Sequence, residues 1–110
     1  MIAEMVMFQL PAGMSRDDVL AAAYDTVPGW QANGDLLRKH YLLDEDNRTY
    51  GFYLWRSREA AERAHGSEFR QRVRERFGCE PSISYYDALL VLDNLNGEVS
   101  EDLGGPVSAH

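Results

Sequence analysis

Apolar and polar positions along the chain fall into two rhythms. Residues 2–8, IAEMVMF, form a short β-prone run that the breaker PAG ends. Ser15 followed by Asp18 has the spacing of a capping box, with aspartate in the glutamate's place, so a helix is predicted from about Arg16. Val19, Leu20, Ala23, Tyr24 and Val27 recur at helical spacing and mark its buried face, and Pro28-Gly29 is expected to break or kink it. Two strands follow, LLRKHYLL (36–43) and RTYGFYLW (48–55), joined as a hairpin through the polar DEDN. Ser57 is the predicted N-cap of a second helix from about Arg58. That helix is kinked at Gly66-Ser67, resumes through Phe69, Val73 and Phe77, and ends at Gly78. SISYYDALLVL (82–92) reads as the last strand.

The order β-α-β-β-α-β is that of a ferredoxin-like α+β fold: a four-stranded antiparallel sheet with two helices on one face. The other face also needs a cover. The first strand is apolar at both parities (Met5 and Met7; Val6 and Phe8), and so is the last (Ile83, Tyr85 and Leu89; Tyr86, Leu90 and Leu92). With no third layer in the sequence, a second copy of the chain is the predicted cover, which makes a homodimer with the two sheets face to face. Residues 1–93 then form the domain. Residues 94–110 form an irregular tail, expected to lie on the partner through Leu95, Val99, Leu103 and Val107 or to be partly disordered.

Composition narrows the function. A chain of 110 residues supports one core. The net charge of −7 argues against a nucleic-acid partner, which needs a basic surface. Arginines do gather on the second helix, but Glu59, Glu62, Glu68 and Glu75 are interleaved with them at pairing distance. No apolar run approaches the ~18 residues of a membrane span. Glu4 interrupts the first apolar run, which has no basic stretch before it and so does not read as a signal peptide. Cys79 is the single cysteine, so neither an internal disulfide nor a thiolate metal site is expected, and a reducing cytoplasm is the simplest setting. Histidines at 40, 65 and 110 lack metal-site spacing, and neither a glycine-rich phosphate loop nor a G-x-S-x-G elbow occurs.

The strings LLRKHYL, YGFYLW, SREAAERA, RVRERFG and PSISYYD up to VLDN, over roughly residues 28–94, resemble the YdhR-type monooxygenase family. That family belongs to the dimeric α+β barrel superfamily, with the antibiotic-biosynthesis monooxygenases. The resemblance implies the same βαββαβ dimer, with a pocket between the sheet and the two helices of each subunit. Superfamily members include oxygenases that need no metal or flavin and oxidise electron-rich phenols and quinols. Others are isomerases, polyketide cyclases and haem-degrading enzymes, so the fold alone does not choose the reaction. The implied activity is a cofactor-independent monooxygenase acting with dioxygen on a small aromatic or polyketide-like substrate. The alternatives are an isomerase or cyclase using the same pocket, and a non-catalytic ligand-binding dimer.

The residues of that pocket depend on the register of the hairpin. A two-residue turn at Asp46-Asn47 sets Arg38 opposite Trp55 and His40 opposite Tyr53 on one face, with Gly51 leaving a gap beside them. A one-residue change sets His40 with Phe52 instead, and both registers are open. In the first, His40 can take the proton that a phenol must lose before it reacts with dioxygen. Tyr53, Trp55 or Arg38 can then hydrogen-bond the oxygen, and aromatic rings hold the substrate. The resemblance adds weight to Trp55 and brings in His65, which matches a helix histidine of several antibiotic-type relatives. The catalytic candidates are therefore His40, Trp55, Tyr53 and His65, and the substrate-contact candidates are Arg38, Phe8, Tyr24, Phe69 and Tyr85. Each has a plainer reading: Trp55 as core, His40 as a half-buried strand residue, His65 as an exposed helical one, and Arg38 paired with an acid such as Asp87 across the dimer. No cofactor is expected. Haem held by His65 is the alternative, and a net acidic protein is a poor host for its propionates.

Overall fold

The computed structural model describes residues 1–103; Val107 and His110 lie outside the described residues. The elements are β1 (Ile2–Gln9), α1 (Arg16–Gln31), β2 (Leu36–Leu43), β3 (Arg48–Trp55), α2 (Arg58–Ala64), α3 (Ser67–Phe77), β4 (Ser82–Asp87), β5 (Val91–Asp93) and β6 (Glu98–Ser100). The main sheet has the order β2-β3-β1-β4 with every neighbouring pair antiparallel, which is the ferredoxin-like arrangement expected from the sequence.

Ser15 and Asp18 do form the capping box: the Asp18 N–H donates to Ser15 Oγ at 3.1 Å, and the Ser15 N–H donates to Asp18 Oδ2 at 3.0 Å. Pro28 does not break the helix, which runs on to Gln31. The Ala32 N–H donates to the Pro28 carbonyl at 3.1 Å, so the ladder resumes one turn later. A proline is tolerated there because α1 has no buried residue, and the carbonyl left without its partner can face solvent.

The β2–β3 hairpin takes the second of the two registers. Lys39 lies opposite Tyr53, His40 opposite Phe52 and Tyr41 opposite Gly51, and an irregularity between Leu36 and Arg38 lets Leu36 pair with Trp55. The cause is in the turn. The Asp44 N–H donates to the Arg48 carbonyl at 3.0 Å, closing a three-residue loop rather than a two-residue one. Asn47 occupies the left-handed region at φ 63°, and Asp44 Oδ1 accepts the N–H groups of both Asp46 and Arg48 at 2.9 Å. These bonds and the Arg48 guanidinium hold the Asp44 carboxyl at about 2, below its usual range.

With that register, Glu4, Val6, Gly51, Tyr53, Trp55 and Lys39 face the helices. Ala3, Met5, Met7, Phe52, Leu54 and His40 face the other way. The core is a single cluster of Val6, Tyr53 and Trp55 under Ala60 and Ala61 of α2. Gly66-Ser67 turns the second helix into two, with His65 capping α2 and Gly66 opening α3. Gly78, in the left-handed region, closes α3.

The last strand is shorter than predicted. β4 stops at Asp87, and Val91–Asp93 pairs instead with Glu98–Ser100 in a separate two-stranded ribbon. Leu89, Leu90 and Leu92 are therefore exposed rather than part of the sheet. Arg38 finds its acid in the same chain: its Nη2 lies 3.7 Å from Asp93 Oδ2, not on Asp87. Among the described residues no helix is long and apolar enough to cross a membrane.

Candidate functional site

α1 has no fully buried side chain, and between it, α3 and the inner sheet face lies a cavity of about 650 Å³. Thr26 Oγ1 and Tyr41 Oη share a hydrogen bond at 2.8 Å that ties α1 to β2 along one edge. Val6 and Phe8 form the floor, Val19 and Leu20 one wall, and Phe69 and Phe77 the opposite wall. Trp30, Tyr41 and Tyr53 close the β2 end.

Tyr53 marks the boundary between cavity and core. It is almost wholly buried, and its ring lies over Gly51. A Cβ at position 51 would stand 2.6 Å from Tyr53 Cε1 and 2.8 Å from its hydroxyl. Gly51→Ala is therefore expected to displace the ring at a cost of about 1–3 kcal/mol. Chemical denaturation checks this, and an unchanged midpoint would show that the ring is free to move. Burial first, then the charge of Glu4, raises the Tyr53 pKa far above its ordinary value, so the phenol stays protonated.

Behind Tyr53 lies a sealed polar cluster. Glu4 has no exposed surface; its Oε1 accepts a hydrogen bond from Trp55 Nε1 at 2.9 Å and sits 2.8 Å from His65 Nδ1. The latter contact is at ion-pair distance but lacks hydrogen-bond alignment. Glu4 Oε2 and His65 Nε2 have no hydrogen-bond partner among the described residues. The helix break at Gly66 turns the His65 ring inward, where its centroid lies 4.6 Å from those of both Tyr53 and Phe69 and 5.5 Å from that of Trp30.

The remaining charged group at this end is Lys39. Its Nζ lies 4.0 Å from the ring centroid of Tyr41, 4.5 Å from that of Trp30 and 4.6 Å from that of Tyr53. Burial alone brings its pKa down to about 7, so the amine is part neutral near neutrality.

The structure separates the residues singled out from the sequence. Tyr53, Phe8 and Phe69 line the cavity. Trp55 and His65 are sealed behind it, joined through Glu4. Tyr85 faces the same side but lies at the Glu4 end, under the Arg58 guanidinium at 4.4 Å. His40 is on the opposite face against Phe52, and Arg38 is there too, on Asp93. Tyr24 is 68% exposed and does not line the cavity. The sequence reading passed over Glu4, Trp30 and Lys39. A carboxylate in the middle of an apolar strand was the one available signal for Glu4, and Lys39 follows only once the register is known.

No protein-family model matches the sequence, and no curated protein matches it. Solved structures do match. A monooxygenase from the gene ActVA-Orf6 of Streptomyces coelicolor, in complex with nanaomycin D, superposes with a TM-score of 0.59 at 15% identity, over 77% of this chain and 84% of that one. A variant of SnoaB, a cofactor-independent oxygenase from Streptomyces nogalater, gives 0.59 at 13% identity, over 84% and 97%. A variant of MhuD with two manganese protoporphyrin IX molecules per active site gives 0.61 at 15% identity, over 84% and 99%. The chain thus has the fold of the antibiotic-biosynthesis-monooxygenase structures.

The MhuD likeness raises the question of haem, and His65 does not fit the place of its iron ligand. His65, the histidine the sequence reading assigned to the iron, has a fully buried side chain against Glu4 and does not reach the cavity surface.

Proposed function

We propose that the cavity is the active site of a cofactor-independent monooxygenase-type enzyme acting on a small, flat, electron-rich aromatic or polyketide-like substrate. The observation that carries this is the cavity itself: an apolar, aromatic-walled space of about 650 Å³ in the fold of known oxygenases. The substrate ring stacks beside Trp30, Tyr53 and Phe69. Tyr53, held protonated, donates to the substrate oxygen on which negative charge develops. In the reaction of a ring CH₂ with dioxygen, one oxygen atom becomes the new carbonyl and the other leaves as water. The substrate's own electrons reduce the dioxygen, so no external reductant is needed. Glu4, Trp55 and His65 position Tyr53 from behind and do not touch the substrate.

The test is oxygen uptake by the metal-stripped protein with hydroquinones, naphthols and anthrones. Uptake with an oxygenated product is expected. Tyr53→Phe should lower kcat about 10²-fold, whereas His40→Ala, on the other sheet face, should leave it unchanged. Loss of uptake in His40→Ala alone would put the chemistry on the wrong face. A second reading, an isomerase or cyclase, draws support from the pairing of a half-neutral amine on Lys39 with a protonated phenol on Tyr53. It requires turnover without dioxygen.

The assembly is proposed as a homodimer. Met5, Met7 and Phe52 on the outer sheet face, with the exposed Leu89, Leu90 and Leu92 beyond β4, are the apolar surface a second copy would cover. Sedimentation should give twice the chain mass, and Leu89→Lys with Leu92→Lys should give the monomer.

A further inference from the structure

Two features at the mouth of the cavity stand apart from its aromatic walls. First, its lining includes Arg16, Arg72, Arg76 and Lys39 but no aspartate or glutamate, in a protein whose net charge is −7. Among the described residues none of these four cations has a carboxylate within ion-pair distance. Second, Lys39 does not snorkel out to water; its amine is folded back into the faces of Trp30, Tyr41 and Tyr53 at 4.0–4.6 Å.

We propose that Lys39 is a catalytic and binding group for an acidic hydroxyl: its amine takes the proton of a phenolic or enolic substrate and then, as an ammonium, holds the oxyanion. This rests on the reading of the cavity as a substrate site and names the substrate class. The step balances: the O–H bond breaks, the proton forms a fourth bond to Nζ, and a neutral pair becomes a phenolate beside an ammonium. The three rings stabilise that ammonium through their faces, returning part of what burial takes from it. The same burial leaves a fraction of the amine neutral, and so able to accept a proton, at pH near 7. The groups that also bear on the oxyanion are the hydroxyls of Tyr41 and Tyr53 on the strands, the guanidinium of Arg16 on α1 and those of Arg72 and Arg76 on α3. All lie on the cavity lining, and all favour the anion. Glu4, on β1, opposes them: its charge acts on Tyr53 from behind, although it does not itself line the cavity.

The probe is 2-naphthol, whose neutral and ionised forms absorb differently, beside 2-methoxynaphthalene, which has the same ring and no proton to lose. Bound to the native protein, 2-naphthol should ionise about one to two pH units below its value in water. Lys39→Met should remove most of the shift, leaving only the part due to the arginines, and weaken 2-naphthol binding about tenfold while leaving 2-methoxynaphthalene binding unchanged. Lys39→Arg, which cannot accept the proton, should keep the affinity for the ionised form but lose the pH-7 oxygen uptake. An equal shift in Lys39→Met, or an equal loss of the ether, would overturn the assignment. The two readings fail separately. A Lys39-dependent shift with no oxygen uptake by any compound sinks the oxygenase and keeps the base. Uptake that persists in Lys39→Met keeps the oxygenase and sinks the base.

Discussion

Replacing His65 with leucine should cost about 3–5 kcal/mol of stability, because it leaves the fully buried carboxylate of Glu4 beside a hydrocarbon. The cost arises from the group left behind rather than from the contact removed. Glu4 keeps the bond from Trp55 Nε1 at 2.9 Å and its interaction with the Tyr85 hydroxyl, and its Oε2 lacks a well-aligned hydrogen bond among the described residues. Glu4→Gln retains an acceptor for the indole and carries no charge. The pair Glu4→Gln with His65→Leu should therefore recover most of the loss, leaving the deficit of one imperfect hydrogen bond, about 1 kcal/mol. Urea unfolding of the two single variants and the double variant gives the coupling directly. Additive losses would mean that the histidine and the carboxylate do not sense each other at 2.8 Å.

Lys39→Met should stabilise the protein, and by an amount that depends on pH. The amine titrates at its ordinary 10.5 in the unfolded chain and at about 7 in the fold. Between these values the unfolded chain binds more protons, so the stability of the native protein rises with pH across the window. Below about 7 both states carry the charge, and the full cost of burying it is present. The variant escapes that cost. Its advantage should be largest below pH 7, about 1–3 kcal/mol once solvent screening at the half-buried amine is counted, and should fade as the pH approaches 10.5. Comparing the two proteins at each pH cancels the titration of every other group. A constant difference, or one that grows with pH, contradicts the assigned environment of Lys39.

How much of this was legible in the sequence differs by level. Element order and type from β1 to β4 followed from periodicity and from punctuation at Ser15, Gly66 and Gly78, each of which acts through local backbone chemistry, whereas the β5–β6 ribbon fell partly in the segment read as an irregular tail. Pro28 did not end α1 because it sits on the exposed side of the helix, where the freed carbonyl can turn to solvent. The hairpin was undetermined because DEDN suits two-residue and three-residue loops alike. The left-handed Asn47 and the Asp44 cap decide between them, and one residue of shift exchanges His40 for Lys39 on the cavity face. The family resemblance implied a pocket between the sheet and the helices, but nothing in the residues gave its size or its full lining, which depend on packing between elements distant in the chain.

The measurement that tests the central claim most directly is a crystal structure of the protein grown with 2-naphthol. The account predicts the ring inside the cavity, against Trp30, Tyr53 and Phe69, with its oxygen on Lys39 Nζ. A naphthol seated instead on the outer sheet face, beside His40 and Phe52, would contradict it.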